Sequence, residues 1–206
     1  MARAATTTLF WFMALMGLAV ALFSARFLLP GGFMTEEMAF HLEARPAIFL
    51  AHVVGGATAL GLGAFQLATW RGPRRTWHRR AGRVYVAACL IGAAAGFGLA
   101  VTTSAGPVAS LGFGLLAVAW FGTTFLGWRR AVSGEFGQHR RWMIRSLSLT
   151  FAAVTLRLML PMIPLTGLDY IEAYRLISFL CWIPNLLLAE LWLRTSAWEA
   201  PAPRPR

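Results

Sequence analysis

Six apolar stretches constrain this chain more than any other feature. They run over residues 7–29, 46–70, 84–104, 108–128, 142–163 and 175–193. A helix needs about 20 apolar residues to cross roughly 30 Å of hydrocarbon, and all six reach that length. The sequence therefore predicts an all-α polytopic membrane protein, with six transmembrane helices in one bundle over residues 1–197 and a disordered tail over 198–206. Composition agrees: 58% of residues are hydrophobic and 13% charged, against about a quarter charged in an ordinary soluble domain. The first stretch has a second reading as a signal peptide, since Arg3 precedes it and Ala19-Val20-Ala21 resembles a cleavage site. Its apolar run continues to Leu29, interrupted only by Arg26, which favours a retained anchor.

The 19 basic residues are all arginine, against eight acids, for a net charge of +11. That excess raises nucleic acid as a partner, but the arginines fall in short gaps between spans, where they set topology. With the N-terminus inside, the inner segments hold Arg3, the loop arginines 71, 74, 75, 79, 80 and 83, then 129, 130, 140 and 141, and finally 194, 204 and 206: 14 of the 19. Arg26, Arg45 and Arg175 sit at outer positions beside Glu36, Glu37, Glu43, Asp169 and Glu172. The expected orientation is N-in and C-in, with no nucleic-acid partner. Anionic lipid headgroups are the expected contact of the inner face.

Small residues recur every four positions on the second span (Gly55, Ala59, Gly63) and the third (Gly92, Gly96, Ala100). Such stripes let backbones approach closely in lipid, so these spans are expected to pack as an antiparallel hairpin. Trp11, Trp70, Trp77, Trp128, Trp142 and Trp192 lie near the boundaries, as interfacial anchors do. Cys89 and Cys181 lie within spans and read as buried free thiols, an intramembrane disulfide being unnecessary.

The two basic loops resemble each other. One runs Trp70-Arg71 to His78-Arg79-Arg80 and Arg83; the other runs Trp128-Arg129-Arg130 to His139-Arg140-Arg141 and Arg145. Two readings stand: a duplicated hairpin unit related by an axis along the membrane normal, or a coincidence of Arg-rich loops. Duplication would make His78 and His139 equivalent.

The same residues carry a family likeness. His52-Val53-Val54-Gly55-Gly56 with Ala59-Leu60, Gly63 and Gln66, then His78-Arg79 with Gly82-Arg83-Val84-Tyr85, stand in order. His139 with Trp142-Met143-Ile144-Arg145-Ser146, Thr155-Leu156-Arg157-Leu158, and Trp182 with Asn185-Leu186 and Glu190 follow. The chain resembles the bacterial membrane proteins catalogued as domain of unknown function 2306. That resemblance implies a helical, multi-pass protein of the bacterial inner membrane and supplies no activity.

Polar residues inside spans are the functional candidates. A central Arg costs roughly 2.5 to 3.5 kcal/mol on insertion scales, yet Arg157 and His52 each lie about six residues, or about 9 Å, below the outer end of their spans. They are placed to meet in the bundle interior, with no carboxylate at that depth. Arg157 must use backbone carbonyls, neutral His52, the outer-loop acids or an anionic ligand, or else snorkel to the surface. Near the inner face, Glu190 and Arg145 read as an ion pair, with a proton relay as the competing role for Glu190, and Gln66 lies one turn above the end of its span. Asn185 follows Pro184, where a kink frees backbone groups for a neighbouring side chain.

His78 and His139 are candidates for haem or metal, because neutral imidazole is a common ligand. The opposing reading is a pair of interfacial histidines in basic loops. Counting 14 residues from His52 reaches Gln66, no haem ligand, and spans three, four and six contain no histidine. A two-haem electron wire of the cytochrome b561 kind is therefore disfavoured, while one haem b between His78 and His139 stays open, with arginines for its propionates. No phosphate loop, nucleophile elbow, HExxH or intramembrane carboxylate pair is present, so no catalytic residue is assigned. Three readings remain: a polar interior of His52, Gln66, Arg145, Arg157, Asn185 and Glu190 that holds a small ligand or acts with a protein partner or second copy; a single-haem redox protein; and a membrane scaffold or assembly factor.

Overall fold

The structure, a computed structural model, describes residues 2–28, 36–69 and 75–195. Trp70, Arg71, Arg74 and the expected tail lie outside the described residues. The helices are α1 (Ala2–Ala25), α2 (Glu36–Ala44), α3 (Pro46–Thr69), α4 (Arg75–Ala100), α5 (Pro107–Val132), α6 (Phe136–Thr150), α7 (Ala152–Met159), α8 (Ile163–Thr166), α9 (Tyr170–Leu180) and α10 (Ile183–Thr195). Among the described residues there is no strand, and six stretches are long and apolar enough to cross a membrane: Trp11–Leu28, Pro46–Gly63, Thr76–Ala100, Pro107–Val132, Phe136–Thr166 and Tyr170–Thr195.

Packing begins with the expected α3/α4 hairpin. A Cβ on Gly55 would stand 2.7 Å from the Ala88 carbonyl and 2.8 Å from Gly92 Cα, so the two backbones touch where the small-residue stripes cross. In hydrocarbon there is little hydrophobic force between helices, and such close contact supplies dispersion instead. The α5/α6 hairpin forms the second layer, α4 packs on α5, α1 covers α3, and α9 and α10 close the bundle against α5 and α6.

Four departures from the expected spans have local causes. First, α4 begins nine residues earlier than the 84–104 span, because arginine is a good helix former and Arg79, Arg80 and Arg83 continue the helix with their side chains exposed. Likewise α6 starts at Phe136, so His78 and His139 are helical residues. Secondly, the fifth span is interrupted at Phe151 and again at 160–162. The Ser148 and Thr150 hydroxyls donate back to the carbonyls of Arg145 (2.8 Å) and Ser146 (2.9 Å), which loosens a helix, and Pro161 and Pro164 finish the break. Thirdly, the sixth span starts at Tyr170, capped by Asp169 accepting from Ile171 N–H at 3.0 Å, and breaks at Cys181 and Trp182 ahead of Pro184. Lastly, the segment between α1 and α3 carries the short helix α2.

Tight turns join the hairpins. Gly106 has φ +92°, a left-handed conformation suited to glycine, immediately before Pro107 opens α5. Arg175 from α9 donates through Nε to the carbonyl of Ala105 at 2.8 Å and secures that turn.

Candidate functional site

The polar residues expected to share one interior do not form a single hydrogen-bonded cluster. At the arginine-rich end, Arg145 on α6 pairs with Glu190 on α10: Nε donates to Oε1, and Nη2 to Oε2 at 3.0 Å. The guanidinium also stands over the Trp142 ring, 4.8 Å from its centroid. This is the expected ion pair in two-point form, the geometry that suits a planar guanidinium best. Both groups are thereby committed to each other.

Asn185 answers the Pro184 break. Its Nδ2 donates to the carbonyl of Cys181 at 3.1 Å and to Thr155 Oγ1 at 2.9 Å, linking α10 to α7. This is the satisfaction of freed backbone that a proline inside a span requires. Cys89 and Cys181 are free and buried.

Arg157 and His52 take different partners and do not hydrogen-bond to each other. Arg157 Nη2 donates to Ser24 Oγ on α1 at 2.9 Å and Nη1 to the carbonyl of Ala153 at 3.0 Å. Ser24 spends its own proton on the Val20 carbonyl at 2.7 Å, leaving its oxygen to accept. His52 Nδ1 faces the Gly92 carbonyl at 2.8 Å, so the proton resides on Nδ1 and Nε2 keeps its lone pair. A Cβ on Gly96 would come within 2.9 Å of that ring, so the glycine makes room for it. Arg157 nevertheless lies within electrostatic range of His52.

Gln66 belongs to His78. With its amide oriented so that oxygen faces Gly82 N–H (2.9 Å), its nitrogen stands 3.1 Å from His78 Nδ1. Thr69 Oγ1 lies 3.4 Å from the same ring nitrogen. On the second hairpin, His139 Nδ1 meets the Gly127 carbonyl at 2.8 Å. Each histidine thus reaches back to the preceding helix at the residue 12 positions earlier, Gln66 and Gly127. Among the described residues, no three His, Cys, Asp or Glu side chains gather into a metal-ion site.

One cluster escaped the sequence reading altogether. Tyr85 on α4, Trp120 and Thr124 on α5, and Ser146 and Thr150 on α6 are buried and joined in one network. Tyr85 OH meets Ser146 Oγ (3.2 Å) and Thr150 Oγ1 (3.1 Å); Trp120 Nε1 donates to Thr150 Oγ1 (2.9 Å); Thr124 Oγ1 and Ser146 Oγ are 2.7 Å apart. The signal available was spacing: Trp120/Thr124 and Ser146/Thr150 are i, i+4 pairs, as is Tyr85 with buried Cys89, so each helix offers one polar stripe. Ser24 was missed for a similar reason, since a lone hydroxyl on a span is readily satisfied by its own helix.

Residues 49–193 match the family described as Predicted membrane protein (DUF2306). The chain belongs to this family. The matched stretch of this DUF2306 protein contains every polar candidate named above except Ser24, which lies on α1 outside it. It is a membrane protein of helical-bundle type, and no curated protein and no solved structure matches it.

Proposed function

We propose that this protein binds a small oxyanion, a carboxylate or phosphate group, inside the bundle at Arg157 and His52. The observation that carries the reading is the company Arg157 keeps. A guanidinium has five N–H donors, and among the described residues Arg157 spends two, both on neutral oxygens, Ser24 Oγ and the Ala153 carbonyl. No carboxylate hydrogen-bonds to it among those residues, whereas Arg145, in the same span, is fully paired by Glu190. A charge in a span without an opposite charge is destabilising, and such residues mark ligand or ion sites. An oxyanion would supply the missing charge to the three remaining donors, and His52 Nε2 would accept a hydroxyl proton from the same ligand.

The remaining polar candidates serve the bundle. Arg145, Glu190 and Asn185 are satisfied within it, and Gln66 is engaged by His78 and Gly82. The arginine distribution puts the basic end at the cytoplasmic face of a bacterial inner membrane, so the Arg157 site opens toward the opposite leaflet. The basic end lies among anionic headgroups.

Thermal unfolding of the purified protein in detergent, with inorganic phosphate or with oleate, tests this reading. One probe enters from water and the other from the bilayer. The account expects at least one of them to raise the midpoint in the native chain and to leave Arg157→Met unmoved. Equal shifts in both proteins, or no shift with either probe, would refute it.

A further inference from the structure

The break in the fifth span opens an apolar groove. Pro161 and Pro164 supply no backbone donor to a helix, so the chain after α7 passes through a tighter turn at 160–162 into α8, and Gly167, at φ +71°, turns it toward α9. Between these arms lies a cavity of about 320 Å³, lined by eleven residues. Ile163, Ala173 and Ile177 are the buried part of its lining, while Leu158, Met162 and Leu176 stand exposed at its rim. All of the lining except Leu168 belongs to the fifth and sixth spans. Arg157 is not part of it, since its guanidinium reaches Ser24 on α1.

The lining decides what the groove can hold. Nine of the eleven residues are apolar, and the other two, Thr155 and Thr166, have hydroxyls that are already engaged. Thr155 Oγ1 accepts from Asn185 Nδ2 at 2.9 Å and donates to the Phe151 carbonyl at 3.4 Å. Thr166 Oγ1 donates to the Ile163 carbonyl at 2.7 Å and accepts from Leu168 N–H at 3.2 Å. A buried water needs two to four polar partners, and an apolar cavity of about 150 Å³ stays dry and takes up benzene. This groove has more than twice that volume. Left empty, its walls forfeit dispersion contacts, and its rim lies in spans, where the surrounding medium is hydrocarbon. One turn of a helix 10 Å across fills roughly 400 Å³, so a neighbouring helix is too wide to enter.

We propose that this groove binds one alkyl chain of a membrane lipid, drawn from the leaflet opposite the basic end. The chain lies on Ile163, Ala173 and Ile177 and completes the packing that the broken span leaves open. The headgroup stays outside, because neither threonine hydroxyl is free to hold it, so the tail is selected by shape and not by charge. The groove acts independently of the Arg157 site. In the assays of that site, lipid or detergent tails in excess already fill the groove, and oleate there reports on its carboxylate.

Isoleucine methyl groups provide the test. The full chain, labelled at those methyls and held in dodecyl maltoside, an uncharged single-chain detergent, is expected to show nuclear Overhauser contacts from the dodecyl methylenes to buried Ile163 and Ile177 as well as to exposed Ile91. Ala173→Met fills the groove from its buried side and Leu176→Trp from its rim. Each should remove most of the contact at Ile163 and Ile177 and keep that at Ile91, and the rim variant serves should the buried one fail to fold. The proposal is overturned by any of four results: contact at Ile91 with none at Ile163 or Ile177; water contacts at those two methyls in place of detergent; detergent contacts that survive in both variants; or, in a mixture of labelled and unlabelled chains, contacts from a second copy of the protein. The detergent carries no anion, so the outcome leaves the Arg157 site to its own test.

Discussion

Arg145 and Glu190 form a two-point ion pair that ties α6 to α10, with the guanidinium also standing over Trp142. The side chains are 17% and 30% exposed, so the pair is poorly solvated but not sealed. Removing one partner leaves the other charge facing the bundle, which for a fully buried pair costs about 3 to 5 kcal/mol. With this exposure, Glu190→Gln is expected to destabilise by about 2 kcal/mol, and the double variant Arg145→Met/Glu190→Leu by less than the single one. A double-mutant cycle in a reversible detergent unfolding assay measures both. Additive losses would show the pair to be independent charges rather than a coupled tie.

The α3/α4 crossing makes a sharper steric prediction. The Cβ introduced by Gly55→Ala would meet backbone, Ala88 O and Gly92 Cα, with no side chain to rotate away. Overpacking of this kind costs about 1 to 3 kcal/mol. Gly56→Ala is the control, because nothing lies within 4 Å of its new Cβ. The two neighbouring substitutions should therefore separate clearly in thermal midpoint.

Much of this was legible from residue spacing. The stripe Gly55, Ala59, Gly63 pointed to the hairpin because small residues every four positions have one effective use in lipid. The Arg145 and Glu190 pair followed from two opposite charges at one depth. Asn185 followed from Pro184, which removes a backbone donor and predictably leaves an acceptor to be satisfied. What could not be read was which neutral oxygen a cation would choose. Depth counting placed Arg157 level with His52, but depth does not fix the angle around a helix, and the break at Phe151 lies between Arg157 and the start of its span. The partner proved to be Ser24, on a helix separated from Arg157 by 133 positions. The hydroxyl network was hidden for another reason: serine and threonine in spans are ordinarily satisfied by their own backbone, so only the packing of three helices reveals that they also meet each other.

That network predicts modest and coupled losses. Tyr85→Phe removes bonds to Ser146 and Thr150, and Trp120→Phe removes the donor to Thr150. Interhelical hydrogen bonds in membrane proteins average about 0.6 kcal/mol with a maximum near 1.7. Each substitution should cost about 1 kcal/mol, and each should cost less in a Thr150→Val background, where the oxygen both use is already gone. Independent effects after that change would contradict a shared acceptor.

Arg175 supplies a test at the acidic end. Its bond to the Ala105 carbonyl holds the turn that begins α5, where Gly106 occupies a left-handed conformation. Arg175→Met should raise amide hydrogen exchange at 102–108 while leaving the basic end protected. Gly106→Ala should destabilise through backbone strain of about 1 to 3 kcal/mol. Unchanged exchange in Arg175→Met would show that the turn is fixed by Gly106 and Pro107 alone.

Arg157 carries the central claim, and its replacement separates a ligand site from a structural tether. If the charge serves only to reach Ser24, Arg157→Met should be less stable than the native chain. If it awaits an anion, the ligand-free variant should be at least as stable, because an unpaired intramembrane charge has been removed. The most direct measurement is equilibrium binding of radiolabelled phosphate and of radiolabelled oleate to the native protein and to Arg157→Met in the same lipid nanodiscs. Saturable binding of one probe at one per chain, absent in the variant, is the predicted result; equal binding to both proteins, or none to either, would contradict it.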